Sequence, residues 1–317
     1  MSVAEILKNN KETAFSFEVL PPIKGNSIDK VFNTIEKLKK FNPAYINITT
    51  HRTDIVYKET EPGIFRQVIE RKRPGTVAIA AAIKAKYAIP TVPHIICSGF
   101  SKAEIEYELI DLSFLGITDL LVLRGDKSKN DPRFIASLNG HQYACELQEQ
   151  INEFNDGHFI DGSSIENVVT PFSYGTAGYP EKHEEAMNLD ADLRALKNKV
   201  DLGAQYIVTQ MFFDNSKYFN FVERCRSFGI NVPIVPGLKP LTSLNHQTML
   251  PKTFHIDFPE PLAKELEKCS DNESARNLGI EWCVYQAKEL KAANVPSIHF
   301  YSMNAVTSVE SVAAQVY

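Results

Sequence analysis

The chain has 317 residues, of which 23% are charged, and a formal net charge of −5; this balance argues against a nucleic-acid-binding surface and favours a small-molecule partner. Its five cysteines are widely spaced and contain no Cys-x-x-Cys pair, which argues against a zinc ribbon, a redox pair or a disulfide framework. The first ten residues lack a basic start and an apolar signal core, and no window is apolar enough to cross a membrane, so we expect a cytoplasmic protein.

Residues 15–22, Phe-Ser-Phe-Glu-Val-Leu-Pro-Pro, place one carboxylate, Glu18, inside an apolar run that is typical of a β-strand. The two prolines end the run. An ionised carboxylate is costly in an apolar setting, so such a group is either paired or has its pKa raised toward the range of a general acid. An edge strand with Glu18 directed to water explains the pattern equally well at this point.

Short apolar runs alternate with longer amphipathic segments along the rest of the chain, and no linker rich in serine or glycine separates them. The clearest helix is predicted over 101–115, because Ser101 and Glu104 form a capping box and Gly116 supplies the stop. The same order of helix, glycine and strand recurs over 189–211. This alternation predicts a parallel sheet.

Eight segments have the composition of buried strands, and eight is the number that closes a (β/α)8 TIM barrel. They are residues 15–19, 45–49, 92–96, 120–123, 172–177, 206–211, 232–236 and 297–301. We therefore expect an α/β protein with one barrel domain over 1–317. The loops of the fourth and seventh βα units, at 127–170 and 240–296, are predicted to be enlarged, and a helix is expected over 273–293 within the second.

Catalytic residues of such barrels lie at the carboxyl ends of the strands, and polar residues occur at six of these predicted ends. Each has a structural explanation by itself, since a single histidine is more often a core residue and an Arg–Asp pair is often only an ion pair. Together they indicate a site, because the strand ends share one face. No dinucleotide-binding, Walker or His-Glu-x-x-His motif is present, and the carboxylates are not clustered, so no metal is predicted.

Six strings at these strand ends, taken in order, resemble the methylenetetrahydrofolate reductase family in its bacterial, catalytic-domain form. They are residues 15–22, 93–94 (Pro-His), 123–126 (Leu-Arg-Gly-Asp), 177–183, 209–214 and 299–301 (His-Phe-Tyr). The resemblance implies noncovalently bound FAD and ping-pong reduction of 5,10-methylenetetrahydrofolate to 5-methyltetrahydrofolate by NADH or NADPH. The product would supply methyl groups for methionine synthesis, and the family favours a homo-oligomer. Charge and apolar patterning argue against nucleic acid or a membrane as a partner.

The resemblance also implies residue roles. Glu18 would be the general acid that assists opening of the folate's five-membered ring, and Asp126 a second catalytic group between flavin and folate. Gln210 would serve both substrates in turn, and His246 would replace a glutamine that contacts substrate. The positions that match FAD contacts are Thr49, His94, Arg124, Gly125, Asp126, Tyr143, Ala144, Tyr179, His183, Ala186, Asp192, Asn198 and Lys199.

The chain departs from the family pattern where many bacterial relatives carry an arginine that contacts substrate, since Asn304 is followed here by Ala305. Other functions stay open beside the flavin-dependent one. They are a barrel lyase that uses Glu18 as acid and base without flavin, a flavin- or folate-binding module without turnover, and a reductase that takes electrons from a protein partner.

Overall fold

The computed structural model describes residues 1–128, 131–164, 170–303 and 305–317. Its strands are β1 (Ala14–Val19), β2 (Tyr45–Ile48), β3 (Asp54–Glu61), β4 (Ile64–Glu70), β5 (Thr91–Ile96), β6 (Asp119–Leu123), β7 (Ser173–Gly178), β8 (Tyr206–Met211), β9 (Ile234–Leu238) and β10 (Ser297–Phe300). Its helices are α1 (Val3–Asn9), α2 (Asp29–Leu38), α3 (Thr76–Tyr87), α4 (Lys102–Phe114), α5 (Ala144–Asn155), α6 (Leu189–Asp201), α7 (Asn215–Ser227), α8 (His246–Phe254), α9 (Glu260–Glu267), α10 (Asn272–Ala292) and α11 (Val306–Val316).

Eight strands form a closed barrel in the order β1-β10-β9-β8-β7-β6-β5-β2. The pairs β1–β10, β10–β9, β9–β8, β8–β7 and β6–β5 are parallel, and helices alternate with the barrel strands along the chain. The predicted (β/α)8 barrel is therefore confirmed. Closure gives β1 a neighbour on each side, so the edge-strand interpretation of Glu18 is wrong.

Residue contacts divide the chain into two compact regions. Region 1 contains Met1–Val19, Asn33–Asn47 and Tyr174–Tyr317, and region 2 contains Leu20–Phe32 and Ile48–Ser173. That residues 1–317 act as one catalytic domain stays a prediction.

The helix predicted over 101–115 is α4, and its N-terminus shows why the sequence starts a helix there. The Ser101 side chain accepts from the Glu104 N–H at 3.3 Å, and the Glu104 carboxylate accepts from the Ser101 N–H at 2.8 Å. Two backbone donors that the helix leaves unpaired are satisfied in this way. The helix expected in the second enlarged loop is α10, which begins one residue earlier than predicted.

The hairpin of β3 and β4 was not predicted. These strands pair antiparallel in a separate two-stranded sheet in region 2. They are joined by a turn at Pro62 and Gly63, and Gly63 has a φ of +80° that suits glycine. The Pro-Gly pair between two short runs that contain β-branched and aromatic residues was a usable hairpin signal. The second βα unit is therefore also enlarged.

Aromatic side chains fill much of the core of region 1. The Phe15 ring centroid lies 5.7 Å from that of Phe17 and 5.5 Å from that of Phe300. A Cβ on Gly175 would lie 2.4 Å from the ring of Tyr206, so β7 needs glycine beside β8. None of the described helices is long and apolar enough to cross a membrane.

Candidate active site

Glu18 is the fifth residue of β1 and is only 3% exposed. Its Oε1 atom is buried and has no hydrogen-bond partner, while the Ser302 hydroxyl donates to its backbone carbonyl. Burial raises the pKa of Glu18 from 4.5 to about 7, and the positive charge of Lys239 acts in the opposite direction. A carboxyl with this pKa can hold and release a proton near neutral pH, as a general acid must.

Tyr301 directly follows β10 in the same region. Its hydroxyl donates to the Thr209 carbonyl at 2.6 Å, and its N–H donates to the Leu238 carbonyl at 2.9 Å. A Cβ on Gly237 would lie 2.5 Å from the Tyr301 ring, so the ring can occupy this position only because residue 237 is glycine. Burial first, and the charge of Glu18 second, raise the pKa of Tyr301, which therefore stays neutral at physiological pH.

A buried polar network lies on the same strands. The Ser16 hydroxyl is 3.1 Å from His299 Nδ1 and 3.3 Å from the Ser297 hydroxyl. The Tyr45 ring is stacked on the His299 ring with a centroid separation of 6.4 Å. Ser16 is two residues before Glu18 on β1, so both side chains lie on one face of that strand. The hydrogen-bonded Ser16 therefore lies on the face of β1 that carries Glu18.

Besides Glu18, the residues predicted to bind substrate in region 1 are Gln210 and His246. Gln210 is half-buried on β8, and its Oε1 accepts from the Met211 N–H at 2.9 Å. His246 is the first residue of α8, and its Nδ1 accepts from the Thr242 N–H at 3.2 Å. Burial and the charge of Lys239 lower the pKa of His246, which keeps the imidazole neutral near pH 7.

Predicted FAD contacts in region 1 form a connected cluster. The Tyr179 and His183 rings meet edge to face at a centroid distance of 4.7 Å. The His183 N–H donates to Asp192 Oδ2 at 2.9 Å, and the Ala186 N–H donates to the His183 carbonyl at 3.1 Å. On the same helix as Asp192, the Lys199 ammonium donates to the Ala177 carbonyl at 2.7 Å. Asn198 lies exposed on that helix.

Predicted contacts in region 2 meet at the turn after β6. Gly125 has a φ of +79°, and a Cβ there would lie 2.9 Å from that of Ser98. The Ser98 N–H donates to the Arg124 carbonyl at 3.0 Å, and its hydroxyl donates to the Asp126 carbonyl at 2.5 Å. The Arg124 guanidinium lies over the Phe134 ring at 4.8 Å. The turn therefore presents an exposed Asp126 on a fixed backbone.

His94 lies on β5 in the same region. It is 7% exposed, and its Nε2 is buried without a hydrogen-bond partner, while the Thr50 hydroxyl donates to its carbonyl. Burial and the neighbouring His51 lower the pKa of His94 to about 3, so its imidazole is neutral. Burial also lowers the pKa of His51, and the Asp126 carboxylate opposes that effect.

The remaining predicted contacts of region 2 are less enclosed. Thr49 directly follows β2 and is half-buried. Tyr143 precedes α5 with 52% of its surface exposed, its N–H donates to Glu146 Oε2 at 3.2 Å, and Ala144 is the first residue of that helix. Asn304 lies outside the described residues, and Ala305 next to it is buried.

Sequence reasoning missed Lys239. The residue interrupts an apolar run, Ile-Val-Pro-Gly-Leu-Lys-Pro-Leu, directly after β9. A charged residue in a strand-like run ended by proline is the same signal that singled out Glu18. Among the described residues, no group of three or more His, Cys, Asp or Glu side chains is arranged to hold a metal ion.

The closed parallel barrel, with a buried protonatable carboxyl near the end of β1, defines a (β/α)8-barrel protein suited to acid–base chemistry. The family model described as methylenetetrahydrofolate reductase matches residues 3–316. The chain therefore belongs to the methylenetetrahydrofolate reductase family.

Individual proteins similar in sequence to this chain are named methylenetetrahydrofolate reductases as well. The chain is 28% identical to methylenetetrahydrofolate reductase (NADH) 1 of Arabidopsis thaliana over 96% of its length and 49% of the relative's. It is 28% identical to 5,10-methylenetetrahydrofolate reductase of Escherichia coli over 91% of its length and 86% of the relative's. It is also 28% identical to a probable methylenetetrahydrofolate reductase (NADPH) of Caenorhabditis elegans, over 97% of its own length and 43% of the relative's. The chain thus spans about half the length of its plant and worm relatives.

A solved structure supports the fold. An uncharacterized protein from Clostridium thermocellum, which binds two copies of 5-methyl-5,6,7,8-tetrahydrofolic acid, matches with a TM-score of 0.58 at 13% identity. The match covers 98% of this chain and 96% of that one. At 13% identity the structural similarity shows the fold alone.

Proposed function

We propose that the protein reduces 5,10-methylenetetrahydrofolate to 5-methyltetrahydrofolate with NADH or NADPH as the donor and FAD as a noncovalent cofactor. The observation that carries the proposal is the buried Glu18 with a pKa of about 7 in a chain of this family. The NADH and NADPH in the names of the plant and worm relatives support a nicotinamide donor. The folate ligand of the Clostridium protein supports a folate substrate.

Glu18 is proposed to give its proton to a ring nitrogen of the folate as the five-membered ring opens. The bond from that nitrogen to the methylene carbon breaks, and the resulting iminium carbon then accepts hydride. With a pKa of about 7, about half of the Glu18 side chains carry the proton at pH 7. Its Oε1 has no hydrogen-bond partner, so it is available to a substrate nitrogen.

The described residues fit a flavin. In region 2, the buried unpartnered Nε2 of His94 offers a hydrogen-bonding atom, and Gly125, in the turn that packs closely against Ser98, would offer backbone groups to the cofactor. Arg124 there, and Lys199 in region 1, supply positive charge suited to phosphate or reduced flavin. When bound, FAD would accept hydride from the nicotinamide nucleotide and pass it to the folate, which gives a ping-pong order.

The other proposed contacts use the rest of the predicted set. Thr49, Tyr143 and Ala144 in region 2 and Tyr179, His183, Ala186, Asp192 and Asn198 in region 1 would bind the cofactor. Asp126 would contact flavin and folate, and Gln210 and His246 would contact substrate. We further propose that residues 1–317 act as one catalytic domain in a cytoplasmic homo-oligomer, and that the product supplies methyl groups for methionine synthesis.

The test follows the two half-reactions separately without oxygen. NADH or NADPH is added to the yellow protein and bleaching of the flavin is recorded; methylenetetrahydrofolate is then added and reoxidation is recorded. A colourless protein that FAD cannot reconstitute would favour a lyase without flavin. Bleaching that occurs only with an added protein donor would contradict the nicotinamide assignment.

Glu18→Gln separates the roles, because only the folate step needs a proton donor. We expect bleaching to be largely unchanged and reoxidation to slow by about 10²- to 10⁴-fold. Glu108→Gln is the matched control: Glu108 on α4 in region 2 also has a pKa raised to about 7 by burial, and this variant should keep both rates. Equal losses in both half-reactions of Glu18→Gln would contradict the assigned role.

A further inference from the structure

The register of three neighbouring strands in region 1 defines rows of residues across the barrel wall. Phe17 on β1 pairs with Phe300 on β10, and Phe300 pairs with Leu238 on β9. Neighbours in a row point to the same face of the sheet, and the next residue along each strand points to the opposite face. The residues that directly follow Phe17, Phe300 and Leu238 therefore all point to the opposite face of the sheet.

That next row consists of Glu18, Tyr301 and Lys239. Tyr301 stands between the acid and the base, and its N–H bond to the Leu238 carbonyl holds β9 and β10 in register at this level. Two strand spacings separate the backbones of Glu18 and Lys239, about 10 Å. Lys239 is half-buried in this position, and its pKa is lowered by burial and raised by the charge of Glu18.

Tyr45, Tyr301 and His246, which belong to the interacting groups of region 1, carry no charge near pH 7. Burial raises the pKa of Tyr45 to about 12 and that of Tyr301 well above its usual value. His246 on α8 has a lowered pKa because of burial and Lys239. His299 is hydrogen-bonded to the Ser16 hydroxyl. Lys239 is the cation whose charge lowers the pKa of Glu18.

We propose that Lys239 is a positioning residue for the proton donor: its ammonium charge, held across Tyr301 from Glu18, stabilises the carboxylate that remains after Glu18 has protonated the folate. This inference rests on the proposed function. The proton leaves the Glu18 carboxyl and joins a folate ring nitrogen, and Glu18 later regains a proton from water. The charge thus favours the product of the transfer.

The separation by Tyr301 matters as much as the charge. A lysine in direct contact would hold Glu18 ionised and remove its proton at pH 7. With no cation near, the buried acid would keep its proton too tightly to donate it well. A lysine one strand further away lies between these extremes, because the interaction weakens with distance.

Lys239→Met removes the charge and keeps most of the side-chain volume. In the folate half-reaction, the rate falls as pH rises through the pKa of Glu18, since only the protonated acid reacts. In the variant, we expect the midpoint of this decrease in rate to lie about one pH unit higher. The rate at low pH should be about threefold lower, because the acid is weaker. Lys239→Arg keeps the charge and should leave the pH midpoint of the rate unchanged. Lys264→Met, on the exposed surface of α9, should change neither the midpoint nor the rate.

A second readout does not depend on turnover. The infrared C=O stretch of protonated Glu18 is identified as the band lost in Glu18→Gln, and its intensity is followed against pH. Its midpoint should rise by about one pH unit in Lys239→Met and stay in place in Lys239→Arg. Circular dichroism establishes that each variant is folded, and Lys239→Gln replaces Lys239→Met if the latter does not fold.

The outcomes separate the two proposals. An unchanged infrared midpoint in a folded neutral variant overturns the role of Lys239, whatever the protein catalyses. A slower folate half-reaction with an unchanged pH midpoint also overturns the role of Lys239, because a purely structural loss would give that result. If the native chain does not reduce methylenetetrahydrofolate while the midpoint still shifts, the proposed function is wrong and the proton-donor role falls with it, while the coupling between the two side chains stands.

Discussion

Replacing Glu18 by glutamine should make the protein more stable at alkaline pH. Burial raises the pKa of this carboxyl from 4.5 to about 7, so the folded chain binds its proton more tightly than the unfolded chain does. Below pH 4.5 the group is protonated in both states and contributes no difference. As pH rises from 4.5 to about 7, the unfolded chain ionises first and stability falls; above pH 7 the full penalty is present.

The size of the penalty follows from the two pKa values. A rise of about 2.5 pKa units corresponds to about 3.4 kcal/mol, at 1.36 kcal/mol for each unit. Glutamine cannot ionise, so Glu18→Gln does not carry this penalty. Between pH 4.5 and pH 8, its stability relative to the native chain should increase by about 3 kcal/mol, which is about 5 °C in Tm for a chain of this length.

The measurement is urea unfolding of both chains at each pH with the same FAD saturation. Glu260→Gln on α9 is the control, since Glu260 pairs with Lys264 at the surface and an exposed pair contributes little. Its effect should stay within about 0.5 kcal/mol at both pH values. If the stability difference between Glu18→Gln and the native chain is the same at pH 4.5 and pH 8, the pKa of Glu18 is not raised in the folded chain and the general-acid argument fails.

Three further changes test local contacts of the fold. Gly237→Ala should destabilise the fold by at least about 2 kcal/mol in urea unfolding, because its Cβ would lie 2.4 Å from the Thr209 carbonyl oxygen; a native-like midpoint would contradict the close approach. Tyr301→Phe should cost about 1–2 kcal/mol by the same measurement, since its hydroxyl donates to that carbonyl, and an unchanged midpoint would show that the bond contributes nothing. Ser101→Ala should cost about 1 kcal/mol through loss of the α4 cap, whereas Ser101→Thr should retain most of it.

Much of the architecture could be predicted because its causes are local. The capping box at Ser101 and Glu104 lies within four residues, and hydrophobic periodicity over about ten residues identifies a strand or helix. The segment 206–211 was predicted with the bounds that β8 has, and eight such segments were enough to infer a closed barrel. The hairpin of β3 and β4 was missed although its Pro-Gly turn is also a local signal.

An acid within a strand-like run is visible in residues 15–19 alone, and the ordered motifs predicted a role for Glu18. The closed barrel is what buries this acid, because burial depends on β1 having a neighbour on both sides. It also decided which charge acts on Glu18. Lys239 is more than two hundred residues away along the chain, and only the register of β1, β10 and β9 brings it into the same row. Chain position does not encode that register, since strand pairing is settled by packing across the whole barrel.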